Sequence, residues 1–243
     1  AKNITNTLLE RKGYFAMTHL SVNLNKMALI RNSRDLGLPE LPVMAERCLR
    51  AGSYGVTIHP RSDQRHAKYS DIYELKEVVD RFPGRELNIE GYPLRELLDH
   101  VVKARPHQCT LVPDSPDQLT SDHGWEVEKN QELLTSIIRE LKDAGIRVSL
   151  FMDYDNTDEF PLLKELGADR VELYTEPYAR AFGTDKEREM LDAYVNAANL
   201  AIAAGLEVNA GHDLNLENTS LLCGSVKIDE VSIGHALTLE SFD

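Results

Sequence analysis

The sequence is poor in cysteine and tryptophan and has no long apolar run, and each shortage excludes a class of protein. Its 243 residues include three cysteines, one tryptophan and no Cys-x-x-Cys pair. A disulfide-stabilised scaffold and a zinc ribbon are therefore excluded. No segment approaches the roughly 18 apolar residues of a membrane-spanning helix, and the first residues lack the apolar centre of a signal peptide. We therefore expect a cytoplasmic protein.

Several well-known ligand and catalytic motifs are also absent. The chain has no Gly-x-Gly-x-x-Gly and no P-loop, which argues against a dinucleotide or a nucleoside triphosphate. It has no Gly-x-Ser-x-Gly, the motif of serine hydrolases. Without a His-Glu-x-x-His motif or regularly spaced carboxylates, we expect no metal and no cofactor, although histidine and glutamate at strand ends could in principle bind a metal ion.

The charge balance is acidic, with 27 Lys and Arg against 40 Asp and Glu and a net charge of −13. This balance argues against nucleic acid and anionic membranes as partners. It still permits phosphate ligands, because a few arginines can reverse the local field. The composition is 42% hydrophobic, which is enough for a full core, and the length suits one large α/β barrel or two small domains.

Short runs that are apolar or small through the middle recur eight times, as expected of strands buried on both faces of a parallel sheet. They alternate with longer amphipathic runs typical of helices. We predict strands over 19–24, 54–59, 86–90, 108–113, 147–153, 170–175, 207–212 and 230–235. We predict helices over 42–51, 71–82, 93–104, 130–144, 157–166 and 186–204, and a weaker one over 217–223.

Eight βα units imply closure into a single (β/α)8 TIM barrel of eight parallel strands. Only eight residues follow His235, so the final helix is expected to be short or missing. No linker composition interrupts the chain, and we expect an N-terminal extension over 1–17 followed by one barrel domain over 18–243.

Active sites of such barrels lie at the C-terminal ends of the strands. Three of the eight histidines fall at these ends. One histidine at a strand end is usually structural, but convergence of several with a carboxylate favours acid–base catalysis. The side chains at or near the predicted strand ends are Asn23, Asn25, His59, Arg61, Glu90, Pro113, Asp153, Glu172, Thr175, His212 and His235.

The two glutamates of this set allow two interpretations each. Glu90 follows Leu-Asn-Ile, so an apolar setting would raise its pKa and suit a general base; the alternative is a pair with an arginine. Glu172 lies mid-strand, and an inward carboxylate needs either an ion-pair partner or a catalytic reason. Both alternatives remain open for both residues.

Two features indicate phosphate binding. The pairs Gly211-His212 and Gly234-His235 end strands seven and eight, where barrels often bind phosphate through backbone N–H groups. A basic cluster also follows strands one and two, although a solvated charged loop would have the same composition. Two separate phosphate regions would suit two phosphorylated substrates. The cluster comprises Arg31, Arg34, Arg61, Arg65 and His66.

Eight segments together resemble the pyridoxine 5′-phosphate synthase family over residues 18–238: SVNLNKMALIRNSR, VTIHPRSDQRH, LNIE, LVPDSPDQLT, AGIRVSLFMD, DRVELYT, GLEVNAGH and SIGHA. The resemblance implies a barrel-shaped, metal-independent transferase of vitamin B6 biosynthesis. It would condense 1-deoxy-D-xylulose 5-phosphate with 3-amino-2-oxopropyl phosphate and close the ring to give pyridoxine 5′-phosphate, phosphate and water. The family uses no cofactor and forms cytoplasmic octamers.

The resemblance also implies roles for individual residues. His59 and Glu90 would be general bases, His212 the proton donor, and Glu172 a stabiliser of a transition state. The deoxyxylulose phosphate would be bound by Arg61, His66 and Thr120. The aminoketone phosphate would be bound by Asn23, Arg34, Gly234 and His235.

Two positions depart from the family pattern. The first strand usually ends Asn-x-Asp-His, with both last residues on the sugar phosphate, whereas this chain has Asn25 and Lys26 there. The usual Ala-Gly-His-Gly ends in Asp213, whose charge would repel the aminoketone phosphate. Lys26 could even offer an amine for a Schiff base. The alternatives are therefore a barrel enzyme with a different phosphorylated or carboxylated substrate, or a non-catalytic ligand-binding barrel.

Overall fold

The computed structural model describes residues 17–114 and 121–241. Eight parallel strands close into a barrel, each paired with the next along the chain and the eighth with the first. The predicted TIM barrel is confirmed, and every predicted strand agrees with an observed one to within two residues at each end. The strands are β1 (His19–Asn23), β2 (Gly55–Ile58), β3 (Glu86–Gly91), β4 (Gln108–Leu111), β5 (Arg147–Met152), β6 (Arg170–Tyr174), β7 (Glu207–Gly211) and β8 (Glu230–Ile233).

Helices surround the barrel and include every helix that the periodicity predicts. The predicted helix over 157–166 is split into a 3-10 turn, Thr157–Glu159, and α6. The α-helices of the described residues are α1 (Asn25–Asn32), α2 (Leu41–Ala51), α3 (Tyr69–Val79), α4 (Arg95–Ala104), α5 (Gln131–Asp143), α6 (Phe160–Glu165), α7 (Glu176–Ala181), α8 (Glu187–Ala203), α9 (Thr219–Ser225) and α10 (His235–Glu240).

Two helices, α1 and α7, escape the sequence prediction, the final helix was expected only as a short or missing element without bounds, and one predicted start is wrong. Helix α1 buries only Ala28, so it has no apolar stripe to reveal it, while α7 and α10 are too short to show a period. Pro93 does not open α4, because Leu94 is extended (φ −63°, ψ 145°) and the helix begins at Arg95. The final helix, α10, is short as expected, with six residues.

Apolar and polar residues alternate along the strands and place the core outside the sheet. On β3, Leu87 and Ile89 point outward into the helical layer, whereas Asn88 and Glu90 point into the barrel. Helix α4 covers this layer with Leu97, Leu98 and Val101, all buried. Amphipathic helices thus pack on the sheet, and each sharp glycine turn, such as Gly52 at φ 110°, leads the chain back into the next strand.

The barrel interior is polar rather than filled by branched apolar side chains. Ser21 and Thr57 share a hydrogen bond of 2.7 Å between their hydroxyl oxygens, and the Thr110 hydroxyl donates to Asn88 Oδ1 at 3.0 Å. Below them, the buried Arg170 donates to Gln108 Oε1 at 3.0 Å. Buried carboxylates at the mouth of the barrel therefore lie above a hydrogen-bonded polar layer, not above hydrocarbon.

Two expectations fall on parts of the chain that the structure does not describe. The predicted extension over 1–17 lies almost wholly outside the described residues, as does Thr120. Within residues 17–114 and 121–241, no helix combines the length and apolar character needed to cross a membrane. All three cysteines are free, and Cys109 is buried in β4.

Candidate active site

A cavity of about 380 Å³ opens at the C-terminal mouth of the barrel. The turns after the strands bring to it side chains that are far apart in the sequence. Residues singled out from the sequence that line it are Asn23, Asn25, Lys26, His59, Arg61, His66, Glu90, Glu172, His212, Asp213, Gly234 and His235. Residues that the sequence analysis did not single out are Leu29, Ser121, Tyr174, Leu214, Ser232, Ile233 and Ala236.

Arg34 is not part of this cavity. It is exposed beyond the end of α1 and lines a separate surface depression of about 410 Å³ together with Arg65 and Lys68. The reason is the unpredicted helix α1, which carries the chain away from the mouth before Arg34 is reached. Thr120 lies outside the described residues, so its position relative to the cavity stays a prediction.

Glu90 is buried at the end of β3, with 6% of its surface exposed. Its carboxylate accepts long hydrogen bonds from Asn88 Nδ2 (3.4 Å) and Asn23 Nδ2 (3.5 Å). Burial raises its pKa well above the usual value, and the carboxylates of Glu172, Asp114 and Glu230 raise it further. Amides, not an arginine, hold this carboxyl group, and its raised pKa suits a general base.

Glu172 points into the barrel from β6 and is 2% exposed. Burial, followed by the nearby Glu230 carboxylate, raises its pKa to about 8. Its Oε2 accepts no hydrogen bond from the described residues, and none of their cations forms an ion pair with it. On β7, a Cβ at Gly211 would collide with Glu172 Oε1, so a larger residue there would force this carboxyl group to move.

His59 follows β2 and is fixed from two sides. Its backbone N–H donates to Asn25 Oδ1 at 2.8 Å, and its Nε2 lies 3.7 Å from Asp114 Oδ2. Burial holds its pKa well below the usual value, and the positive charge of Arg61 lowers it further. The imidazole is therefore neutral at physiological pH and able to accept a proton.

His212 follows β7 in the left-handed region, with φ 84°. Its ring contacts Phe151 and Tyr174, with ring centroids 5.1 and 5.3 Å away. The Thr175 hydroxyl lies 2.6 Å from the carbonyl oxygens of both Gly211 and His212 and fixes the turn. Burial lowers the pKa of His212 to about 4, an effect that the Asp213 carboxylate opposes.

The basic cluster divides between the surface depression, lined by Arg31, Arg34 and Arg65, and the cavity, lined by Arg61 and His66. Arg31 binds Asp71 at the start of α3 at 2.6 Å, which ties helix α1 to helix α3. Arg61, in contrast, lines the cavity and contacts Asp114 Oδ2 at 2.5 Å. His66 lines it too, and burial followed by the charge of Arg61 lowers its pKa to about 4.

The opposite wall of the mouth is formed by the ends of β7 and β8. Asp213 is exposed and takes a left-handed backbone conformation with φ 57°, which an L-residue adopts less readily than glycine. Gly234 packs closely against β1, because a Cβ there would lie 2.7 Å from the Asn23 carbonyl oxygen. His235 is exposed at the first turn of α10.

Two site features had weak signals in the sequence. Asp114 stands within the segment LVPDSPD after β4, but only the fold shows that its carboxylate contacts both His59 and Arg61. Trp125 serves packing: it is 2% exposed and donates from Nε1 to the Leu111 carbonyl oxygen at 2.9 Å.

Neutral imidazoles and carboxyl groups of raised pKa, gathered at the C-terminal mouth of a TIM barrel, define a barrel enzyme of the acid–base type. The model of the family described as pyridoxal phosphate biosynthesis protein PdxJ matches residues 20–242. The chain belongs to this family.

Curated relatives cover nearly the whole chain. Pyridoxine 5′-phosphate synthase of Albidiferax ferrireducens is 47% identical over 232 residues, which are 93% of this chain and 92% of that protein. The same enzyme of Parabacteroides distasonis is 45% identical over 226 residues, again 93% and 92%. A mutant tryptophan synthase α-subunit of Pyrococcus furiosus shares the fold at 11% identity, with TM-score 0.59 and coverage of 91% and 88%.

Proposed function

We propose that the protein is a pyridoxine 5′-phosphate synthase. It condenses 1-deoxy-D-xylulose 5-phosphate with 3-amino-2-oxopropyl phosphate and closes the pyridine ring, releasing inorganic phosphate and water. The observation that carries this proposal is the convergence of His59, Glu90, Glu172 and His212 on one cavity, in a chain 47% identical to a curated synthase of that name.

The reaction needs several proton transfers, and the cavity offers groups of different acidity for them. Amine attack on a ketone, dehydration and ring closure each remove or deliver a proton. Neutral His59 is the first general base, and Glu90, with its raised pKa, is the second. His212, whose pKa is about 4, donates a proton after first accepting one from the substrate. Glu172 stabilises a transition state.

The two substrates bind to different sets of residues around the mouth in this proposal. Arg61 and His66 bind the deoxyxylulose phosphate, together with Thr120, and Asn25 and Lys26 contact its sugar. Guanidinium groups suit phosphate because they donate two parallel hydrogen bonds.

The aminoketone phosphate lies at the ends of β1 and β8 in this proposal. The residues assigned to it are Asn23, Gly234 and His235, with Asp213 beside them and Arg34 from outside the cavity. No metal and no redox cofactor takes part in the proposed reaction.

The assembly and compartment are part of the same proposal. We propose a cytoplasmic homo-oligomer, octameric as the family resemblance implies, in which residues 1–17 extend a barrel domain over 18–243. Sedimentation velocity of the full chain tests the assembly, and a monomer at micromolar concentration would contradict it.

Turnover is tested by incubating the purified protein with both phosphorylated substrates. We expect a pyridoxine chromophore and stoichiometric phosphate release, and a loss of at least about 100-fold in kcat for Glu90→Gln, because a general base commonly contributes 10²–10⁴-fold. The exposed Glu217→Gln is the matched control. No turnover by well-folded protein would refute the proposal.

A second candidate is a barrel enzyme that acts on a different phosphorylated or carboxylated substrate. It is favoured by Asp213, whose negative charge borders the cavity in a backbone conformation that suits glycine. Under the first proposal, Asp213→Gly lowers KM for the aminoketone phosphate at least about fivefold, since a repulsive charge is removed. An unchanged KM would show that Asp213 does not weaken binding of the aminoketone phosphate. Turnover only with another substrate would favour the second candidate.

A further inference from the structure

Asp114 lies behind two of the side chains proposed to act on substrate. It follows β4 and is 4% exposed. Its Oδ2 accepts a hydrogen bond from Arg61 at 2.5 Å and one from the Ser121 hydroxyl at 2.9 Å. The same oxygen lies 3.7 Å from His59 Nε2. One buried carboxylate oxygen thus faces a guanidinium, a hydroxyl and an imidazole.

The contact with Arg61 restricts a side chain that would otherwise have many rotamers. Both partners are buried, and their ion pair spans the loops after β2 and β4. A buried guanidinium held by a carboxylate keeps a fixed plane, so its remaining N–H groups keep a fixed direction. Arg61 also lines the cavity, and Asp114 therefore orients a donor that faces the ligand space.

The contact with His59 distinguishes the two nitrogens of the ring. A carboxylate beside one imidazole nitrogen favours the tautomer whose N–H points at it and stabilises the imidazolium when a proton arrives. Asp114 faces Nε2, which leaves Nδ1 with the lone pair. The nitrogen that accepts a proton is thereby selected before substrate binds.

Asp114 also offsets an otherwise unfavourable field at His59. Arg61, Arg65, His66 and His212 all lie near enough to disfavour a positive charge on this ring. Glu90 lines the same cavity, but its carboxylate is held by the side-chain amides of Asn88 and Asn23. The Asp114 carboxylate, 3.7 Å from the ring, is the compensating group that geometry puts in contact with His59.

We propose that Asp114 is a positioning residue that fixes the guanidinium of Arg61 toward the substrate phosphate and holds His59 as the Nε2–H tautomer, with Nδ1 as the base. The assignment rests on the proposed function for the roles of His59 and Arg61. The geometry of the ring and the guanidinium can be tested without turnover.

Asp114→Asn keeps the shape of the side chain and removes its charge. We expect KM for 1-deoxy-D-xylulose 5-phosphate to rise about tenfold, because an ion pair that orients Arg61 is lost, and kcat to fall about tenfold. The acidic limb of the pH–rate profile moves down by about one pH unit, since a charge at this distance stabilises the imidazolium. Asp114→Glu keeps the charge and keeps the limb in place.

The matched control is Asp99→Asn, which breaks an arginine–aspartate pair of 2.8 Å on the exposed face of α4. It leaves KM, kcat and the pH profile unchanged. If Asp114→Asn lowers only the amount of folded enzyme and keeps the wild-type pH profile, Asp114 is structural and the proposal is overturned.

The protonation of the His59 ring can also be measured in the wild-type chain. Nitrogen-15 shifts of the His59 ring, assigned with His59→Gln, report the protonated nitrogen directly. Protonated Nε2 supports the proposal, and protonated Nδ1 overturns it. Calorimetry with inorganic phosphate adds a binding readout, in which Asp114→Asn weakens binding about tenfold. Both readouts decide the role of Asp114 even if the protein proves inactive on the proposed substrates.

Discussion

Glu172 makes the stability of the protein depend on pH in a direction that can be calculated. Its pKa rises from 4.5 to about 8 on folding, mainly because the carboxyl group is buried and secondly because Glu230 is near. A raised pKa means that the folded state binds this proton more tightly than the unfolded state. The stability it confers is complete below pH 4.5 and is lost as the pH rises through about 8.

The size of the effect follows from one pKa unit being worth about 1.4 kcal/mol. Between pH 5 and pH 9, the shift removes about 4 kcal/mol of the free energy of unfolding. The glutamine of Glu172→Gln cannot ionise. The free energy of unfolding of this variant therefore falls by about 4 kcal/mol less than that of the wild type between pH 5 and pH 9. The difference between the pH dependences of the two proteins separates the contribution of Glu172 from those of the other groups that titrate.

Urea unfolding of wild type and Glu172→Gln at pH 5, 7 and 9, followed by far-ultraviolet circular dichroism, measures both slopes. The exposed Glu217→Gln is the control, and its curve runs parallel to that of the wild type. Parallel curves for wild type and Glu172→Gln would refute the reasoning, because they would mean that Glu172 has the same pKa in the folded and unfolded chain.

Two further predictions concern the groups around this carboxyl. Gly211→Ala places a Cβ against Glu172 Oε1, so we expect a loss of about 1–3 kcal/mol in urea unfolding from overpacking; full stability would contradict the close contact. Arg170→Met leaves Glu230, 3.5 Å from the guanidinium, buried without that partner, and costs about 3–5 kcal/mol at pH 8. A loss below about 1 kcal/mol at pH 8 would show that the pair is unimportant.

The barrel was predictable from sequence because its signal is repeated. Eight runs with the same apolar character, separated by amphipathic helices and sharp glycine turns, admit few topologies. What the periodicity missed is short or lacks a buried stripe: α7 and α10 have six residues each, and α1 buries only Ala28. Helix α1 also explains why Arg34 lies outside the cavity, since a loop in place of the helix would have allowed Arg34 to turn back toward the mouth.

The sequence predicts which residues form the site better than it predicts which of those residues interact. Strand ends identify His59, Glu90 and His212 because parallel strands deliver their C-terminal residues to one mouth. Which groups pair cannot be read from spacing. Arg61 and Asp114 are 53 positions apart and meet only because β2 and β4 flank β3 in the closed sheet.

The polar interior links the stability of this barrel to its chemistry. Burying Glu90 and Glu172 without a cation costs stability at neutral and alkaline pH, and an apolar filling would avoid that cost. Yet an arginine on either carboxyl would lower the pKa that burial raises. Amide donors such as Asn88 satisfy oxygen atoms without adding charge. The ion pairs are instead kept below the mouth, where Arg170 holds Glu230, and beside it, where Asp114 holds Arg61. This separation leaves the carboxyl groups without an ion-pair partner at the cavity and the cation-held structural pairs around them.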